Sequence, residues 1–210
     1  MYHILQEKVR ATALKAYQTG LIAGTSGNFS TFDRDLKVMA ITPSGVNYET
    51  MKSEDITVLD MKGNRIEGEL APSSEWQMHL AIYEAMPEIG GVAHTHAPYA
   101  TAFAVLNQPI PVVLIEMVLL GGQVPVAPFA LPGTLELGKN VAKTLMEEQT
   151  SACLLENHGA LTIGATLEEA YIKSIYLEDS AKIYHFAKTI GEVQLVNETA
   201  IQKMKQKMGL

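Results

Sequence analysis

Strand-like and helix-like segments interleave along the 210 residues. That alternation predicts an α/β or α+β fold with a mixed central β-sheet flanked by helices. Two further observations support it. Hairpin signals crowd between Thr25 and Glu69, and a long stretch from Thr166 to Ile190 carries the signature of a capped helix.

The elements follow in order. Residues 4–19 place Ile4, Val9, Leu14 and Tyr17 among polar positions, and the pattern breaks at Gly20, which predicts an opening helix and its stop. NFSTFDRDLKVMAIT predicts two strands joined near Asp33 to Asp35, and ITVLDMKGNRIEGE a second hairpin around Lys62 to Asn64. SSEWQMHLAIYEAM reads as a helix with a serine cap and a stop at Pro87, followed by the strand GVAHTHA. A helix over Pro98 to Leu106 comes next, then PVVLIEMVLL as an apolar strand, then a helix from Thr134 to Glu148 started after Pro132-Gly133. SACLLENHGALTIG is strand, turn and strand. The last long helix has Thr166 as cap and Glu169 three residues on, the capping-box spacing. No repeat or linker divides the chain, so one domain over 1–210 is expected.

Composition narrows the function classes. The chain is 47% hydrophobic and 19% charged, an ordinary globular balance. No apolar run reaches the roughly 18 to 20 residues that span a bilayer, and the opening MYHILQEKVRATALKAY mixes charges into a helical pattern, so a soluble cytoplasmic protein with no membrane partner is expected. The net charge of −7 argues against a nucleic-acid surface. Cys153 is the only cysteine, which leaves histidine and carboxylate for any metal. Arg10, Arg34 and Arg65 are the only arginines, so a bound phosphate would rest on loop amides and hydroxyls.

His94-Thr95-His96 is the sharpest local feature. Side chains repeat every second residue along a strand, so both imidazoles leave the same face and can close on one ion. The same pair also fits two solvated histidines at a strand end. His158, in ENHGA after the apolar ACLLE, can be aimed at such a site from a turn, and Glu75 supplies a carboxylate, although an acid in a first helical turn is also favoured by the helix dipole. Three imidazoles and one carboxylate suit Zn2+, with Mn2+ or Co2+ as alternatives. His79, one turn after Glu75, reads as a helix-face residue behind the site, and His3 and His185 as structural. A second constellation consists of turns rich in glycine and hydroxyls: Gly24-Thr25-Ser26-Gly27-Asn28, Thr42-Pro43-Ser44-Gly45 and Ser73-Ser74. Each can cradle a phosphate or simply connect two elements.

GTSGN, ITPSG, SSEW, HTHA and ENHG, in this order and spacing, resemble the class II aldolase/adducin family, nearest its fuculose-phosphate aldolase branch. The resemblance runs from about Gly20 to Tyr184. It implies that Glu75, His94, His96 and His158 bind one divalent metal per subunit, and that Thr25, Asn28, Ser44, Gly45, Ser73 and Ser74 hold the substrate phosphate. It implies further a homotetramer with active sites at subunit interfaces, and cleavage of a ketose 1-phosphate to dihydroxyacetone phosphate and a small aldehyde such as lactaldehyde. In that chemistry Glu75 both binds the metal and shuttles a proton. The related pentulose-phosphate 4-epimerases usually carry aspartate where Glu75 stands; a methylthioribulose-phosphate dehydratase and a non-catalytic adducin-type scaffold are the other readings the family allows.

One departure stands out. The fuculose-type enzymes place a tyrosine in the segment after IP, and here Ile115 occupies the apparent match with Glu116 beside it. Glu116, buried in an apolar strand, would be raised in pKa and serve as the proton donor; alternatively its strand face meets solvent or a lysine. Tyr184, reaching in from a neighbouring subunit, is the other substitute.

Overall fold

The structure, a computed structural model, describes residues 2–209. Eight strands form one sheet in the order β4-β3-β2-β1-β5-β8-β7-β6. They are β1 (Asn28–Asp33), β2 (Val38–Ile41), β3 (Thr57–Asp60), β4 (Arg65–Glu67), β5 (Gly91–Thr95), β6 (Val126–Ala127), β7 (Ala152–Leu155) and β8 (Gly159–Gly164). Every pairing is antiparallel except β6 with β7, which makes the sheet mixed, as expected. The helices are α1 (His3–Gln18), α2 (Trp76–Ala85), α3 (Pro98–Val105), α4 (Leu135–Glu147), α5 (Leu167–Ile190) and α6 (Glu198–Met208).

Period-two alternation sorts the strands onto two faces. Phe32, Met39, Ile41, Leu59, Val92, Leu161 and Ile163 point to one side and pack against Met78 and Ile82 of α2 and Leu137 and Val141 of α4. Phe29, Val38, Ala40, Val58 and Ala93 point to the other, against Val9, Ala13 and Ala16 of α1 and Leu167 and Ala170 of α5. Each valine, leucine, isoleucine, phenylalanine or methionine among them, fully buried, contributes about 1.5–3 kcal/mol. Farther along the second face, Ala152, Leu154 and Ala160 meet α3, the end of α5 and Ile201 of α6. On the first face Asn28, Ser30 and His94 fall in the same alternation as Phe32 and Val92, so polar groups of β1 and β5 are turned toward α2. The pairing sets Asn28 directly opposite His94.

Four local expectations need correction. PVVLIEMVLL is not a strand: residues 115–120 form a 3-10 helix, Ile115–Leu120, with Met117, Val118 and Leu120 buried and Ile115 and Glu116 exposed. The outer edge of β7 is already taken by β6, so this segment does not pair there, and Gly121 in the left-handed region ends the turn by donating to the Val118 carbonyl. The serine cap of α2 is absent. Glu75 is the cap residue and its side chain bonds elsewhere, while Ser73 Oγ accepts from the Glu75 N–H at 3.3 Å. The inner face of α1 is Gln6, Val9, Thr12, Ala13 and Ala16 rather than a stripe through Ile4, which is 70% exposed. Gln6 is satisfied there by donating to the Ile56 carbonyl. At α5, Thr166 accepts from the Glu169 N–H as expected, but Glu169 turns to the Ala165 N–H instead of closing the box.

Candidate active site

The ends of β1, β5 and β8 meet the start of α2, and four chemically active side chains converge there. His94 is the fourth residue of β5; His96 lies just past its last residue, two along and on the same face. Their Nε2 atoms are 3.1 Å apart. His158, in the turn between β7 and β8, brings its ring centroid to 4.7 Å from that of His94 and 5.1 Å from that of His96. Glu75 enters from the cap of α2, with Oε2 at 3.2 Å from His94 Nε2 and Oε1 at 3.5 Å from His158 Nε2.

Protonation follows from the partners. His94 Nδ1 lies 3.0 Å from the Ala160 carbonyl, which can only accept, so Nδ1 carries a hydrogen and the ring turns Nε2 toward Glu75 and His96. Burial, reinforced by His94, pushes His96 and His158 down to about 4, so both are neutral at physiological pH. Burial alone would raise Glu75, but His94 and His158, with the Asn28 amide, hold its carboxyl well below the usual carboxylate range. Glu75 Oε1 and His158 Nδ1 are buried and find no hydrogen-bond partner among the described residues. Two nitrogens bound tetrahedrally at the usual ~2.0–2.1 Å from one zinc-sized ion stand roughly 3.3 Å apart. The spacing between the imidazoles fits that requirement, and the histidines alone form a group that could hold a metal ion.

The three turns anticipated as a phosphate cradle are joined to this centre by backbone. Ser73 N–H donates to the Thr42 carbonyl, Ser44 N–H to Ala71, and Thr42 N–H to Phe29. Tyr48 Oη donates to the carbonyls of Ser26 and Gly27. Gly27 has φ +74°, and a Cβ there would lie 2.7 Å from the His94 carbonyl oxygen, so no larger residue lets the first turn sit on β5. Thr25, Ser44, Gly45 and Ser74 are exposed, whereas Asn28 and Ser73 are buried.

Asn28 is already committed on the protein side: Nδ2 donates to Glu75 Oε2 at 2.8 Å and Oδ1 faces His79 Nε2 at 2.6 Å. Behind it, His79 Nδ1 meets Ser30 Oγ at 2.6 Å, and Ser30 Oγ meets Tyr83 Oη at 2.8 Å. The sequence reading placed His79 behind the site but missed Ser30 and Tyr83. The signal was there: Glu75, His79 and Tyr83 recur every four residues on α2, and Asn28 and Ser30 every two on β1.

The remaining predicted residues stand apart from this cluster. Glu116 is exposed on the 3-10 helix, not buried in an apolar strand as expected. Tyr184 stacks on Phe103 of its own chain, ring centroids 5.3 Å apart. His3 is exposed on α1, and His185 lies against Tyr99 and Phe186. Among the described residues no helix is long and apolar enough to cross a membrane.

Comparison with known proteins agrees with this geometry. The family model described as Class II Aldolase and Adducin N-terminal domain matches residues 7–185. A 5-deoxy-D-ribulose 1-phosphate aldolase of Bacillus thuringiensis serovar kurstaki is 35% identical over 202 residues, covering 96% of this chain and 94% of that protein. An L-fuculose phosphate aldolase of Escherichia coli O6:H1 is 38% identical over 181 residues, covering 86% and 82%. A solved structure of an L-fuculose 1-phosphate aldolase superposes with a TM-score of 0.93 at 39% identity, covering 99% of this chain and 97% of that one.

Proposed function

The chain belongs to the class II aldolase and adducin family, and from that membership we propose that it is a zinc-dependent aldolase acting on a deoxy-ketose 1-phosphate. The products are dihydroxyacetone phosphate and a small aldehyde such as lactaldehyde. We take residues 1–210 as one catalytic domain, working in the cytoplasm.

The observation that carries this reading is the convergence of Glu75 with three imidazoles, 3.2 Å from His94 and 3.5 Å from His158, beside the hydroxyl-rich turns. Glu75, His94, His96 and His158 are the groups that would hold the ion. A retro-aldol cleavage leaves negative charge on an enediolate, and a divalent cation at this place supplies the Lewis acid that stabilises it. The protein's own groups do the rest. Glu75, ionised and with Oε1 uncommitted, takes up or returns the proton at the enediolate carbon. Thr25, Ser44, Gly45, Ser73 and Ser74 give the phosphate uncharged donors, and Asn28 retains one N–H beyond the one it gives to Glu75.

The names of the relatives support the substrate class. One is named for 5-deoxy-D-ribulose 1-phosphate and another for L-fuculose phosphate, both ketose phosphates with a deoxygenated far end. A homotetramer with sites between subunits is supported by apolar side chains left in solvent on the loop beside Ser74: Phe129 is 52% exposed and Leu131 65%, and a Cβ on Gly133 would lie 2.9 Å from the Ser74 carbonyl. The test is a metal analysis of the purified protein followed by an assay of dihydroxyacetone phosphate release from L-fuculose 1-phosphate and 5-deoxyribulose 1-phosphate. About one zinc-like ion per chain and release from at least one ketose are expected. A metal-free protein that releases nothing from either overturns the reading.

A further inference from the structure

Between α2 and the sheet, in an otherwise apolar layer, runs a chain of polar side chains: Tyr83, Ser30, His79, Asn28, Glu75. All five are nine-tenths or more buried. An apolar side chain at position 79 would fill the space without desolvating an imidazole, so the polar residues serve orientation rather than stability.

With Glu75 ionised and His79 neutral, the hydrogens along the chain follow one from the next. A carboxylate accepts and cannot donate, so the Asn28 atom facing Glu75 Oε2 is the amide nitrogen. Asn28 Oδ1 therefore faces His79, and as an acceptor it requires Nε2 of His79 to carry the hydrogen. His79, neutral, then offers Nδ1 as a lone pair to the Ser30 hydroxyl, which donates to it. The Ser30 oxygen is left to accept, and the single hydrogen of Tyr83 Oη is shared between it at 2.8 Å and the Ser30 carbonyl at 3.0 Å. Turning the Asn28 amide over would set two acceptors against each other at Glu75 and would require His79 to take the opposite tautomer, with Nδ1 carrying the hydrogen.

We propose that His79 is a positioning residue: with Ser30 and Tyr83 behind it, it locks the Asn28 amide in the one orientation that donates to Glu75 and so fixes the carboxylate against the three imidazoles. Its kinetic consequence rests on the aldolase reading; its structural and metal-binding consequences do not. Partners one step behind a metal-binding side chain typically change metal affinity or activity about 10- to 100-fold when removed.

The experiment compares His79→Leu, which removes the donor and keeps the bulk, with His79→Gln, whose amide can still donate to Asn28 Oδ1. Ser30→Ala, which leaves α2 untouched, stands in should His79→Leu not fold. In the metal-free protein, long-range proton–nitrogen spectra of 15N-histidine are expected to show His79 as the neutral Nε2–H tautomer; an Nδ1–H tautomer overturns the proposal whatever the activity. Titration with Co2+ alone is expected to show an affinity weakened about tenfold or more in His79→Leu, in the same direction but less in Ser30→Ala, and restored in His79→Gln. With a cleavable ketose phosphate, kcat is expected to fall about tenfold or more in His79→Leu while KM moves less than about threefold, because Asn28 is the one member of the six proposed phosphate-binding residues that His79 hydrogen-bonds. Co2+ affinity equal to wild type in both His79→Leu and Ser30→Ala overturns it. If the wild-type chain cleaves no ketose phosphate, the aldolase reading fails, and the tautomer and Co2+ results still decide the role of His79.

Discussion

Gly159 stands against His94 so closely that a Cβ added to it would lie 3.1 Å from His94 Cε1, 3.1 Å from His96 Cδ2 and 2.5 Å from the Thr95 carbonyl oxygen. Two of those atoms belong to imidazoles of the candidate metal centre, and the third to the strand that carries them. Gly159→Ala is therefore expected to push β5 and β8 apart where Thr95 pairs with Ala160 and to spoil the convergence of the histidines. Overpacking of this kind costs about 1–3 kcal/mol. A chelator-competition titration should show zinc affinity reduced about tenfold or more, in a protein whose circular dichroism still reports a folded chain. Wild-type affinity in this variant would mean that the imidazoles do not need their present spacing.

The proposed phosphate cradle can be tested apart from the metal centre. Ser44 and Ser74 are exposed, and the side-chain bonds to Glu75 Oε2 and the Glu75 N–H come from Asn28 and Ser73 instead. Ser44→Ala and Ser74→Ala are expected to raise KM for the ketose phosphate several-fold with kcat and metal content near wild type, as removal of uniform binding does. Asn28→Ala should behave differently, lowering kcat as well, because its amide also holds Glu75. Unchanged KM in both serine variants would move the phosphate elsewhere.

Glu75→Gln is expected to keep a folded protein and lose solvent exchange of the dihydroxyacetone phosphate proton by roughly 10²-fold or more, since an amide cannot take up a proton. Exchange at the wild-type rate, followed by deuterium incorporation, would assign the proton transfer to another group.

How much of this was legible in the sequence depends on the range of the interaction that decides each feature. β1, β2, β3 and β4 were readable because Asp33 and Asp60 turn the chain by local side-chain bonds to backbone N–H groups. His94 and His96 were readable because strand alternation is a property of the chain itself. Residues 111–120 misled because an apolar run specifies burial but not a partner, and whether a sheet edge is free is decided by β6, a two-residue strand with almost no signal of its own. Ser30 and Tyr83 were missed for a related reason: their role exists only once β1 is laid against α2.

His79 makes the stability of the metal-free protein depend on pH in a defined window. Burial, aided by His94 and opposed by Glu75, pushes its pKa from 6.5 down to about 3. Between those values the unfolded chain binds a proton that the folded one refuses, so acid favours unfolding. This group costs nothing above pH 6.5; below it stability falls as pH drops toward 3, by at most about 1.4 kcal/mol per pH unit. Urea unfolding of chelator-treated protein at pH 7, 6 and 5 should show the decline, with a shallower slope in His79→Gln. Equal slopes would mean that His79 is charged in the fold.

The proton donor to the departing aldehyde oxygen is the part of the reaction that one chain does not complete. Such a donor must come within about 3 Å of that oxygen, and Glu116 stands in solvent on the 3-10 helix with Ile115, 37% exposed, beside it. A carboxyl so placed enters an active site only where another copy covers it, as the proposed tetramer with sites between subunits would do. Tyr184 is less free to do so, since its ring is stacked on Phe103 and Lys188 lies over its face. Glu116→Gln is therefore expected to lower kcat about tenfold or more, in the range for loss of a general acid, with metal content and oligomeric state intact, and Tyr184→Phe to change it little. Mixing the impaired Glu75→Gln and Glu116→Gln chains during refolding tests the route across the boundary: if the carboxyl acts in a neighbour's site, some mixed assemblies pair an intact Glu75 with an intact Glu116 and exceed the activity of either variant alone. Recovery would place Glu116 in trans. Wild-type kcat in Glu116→Gln would leave the protonation to water.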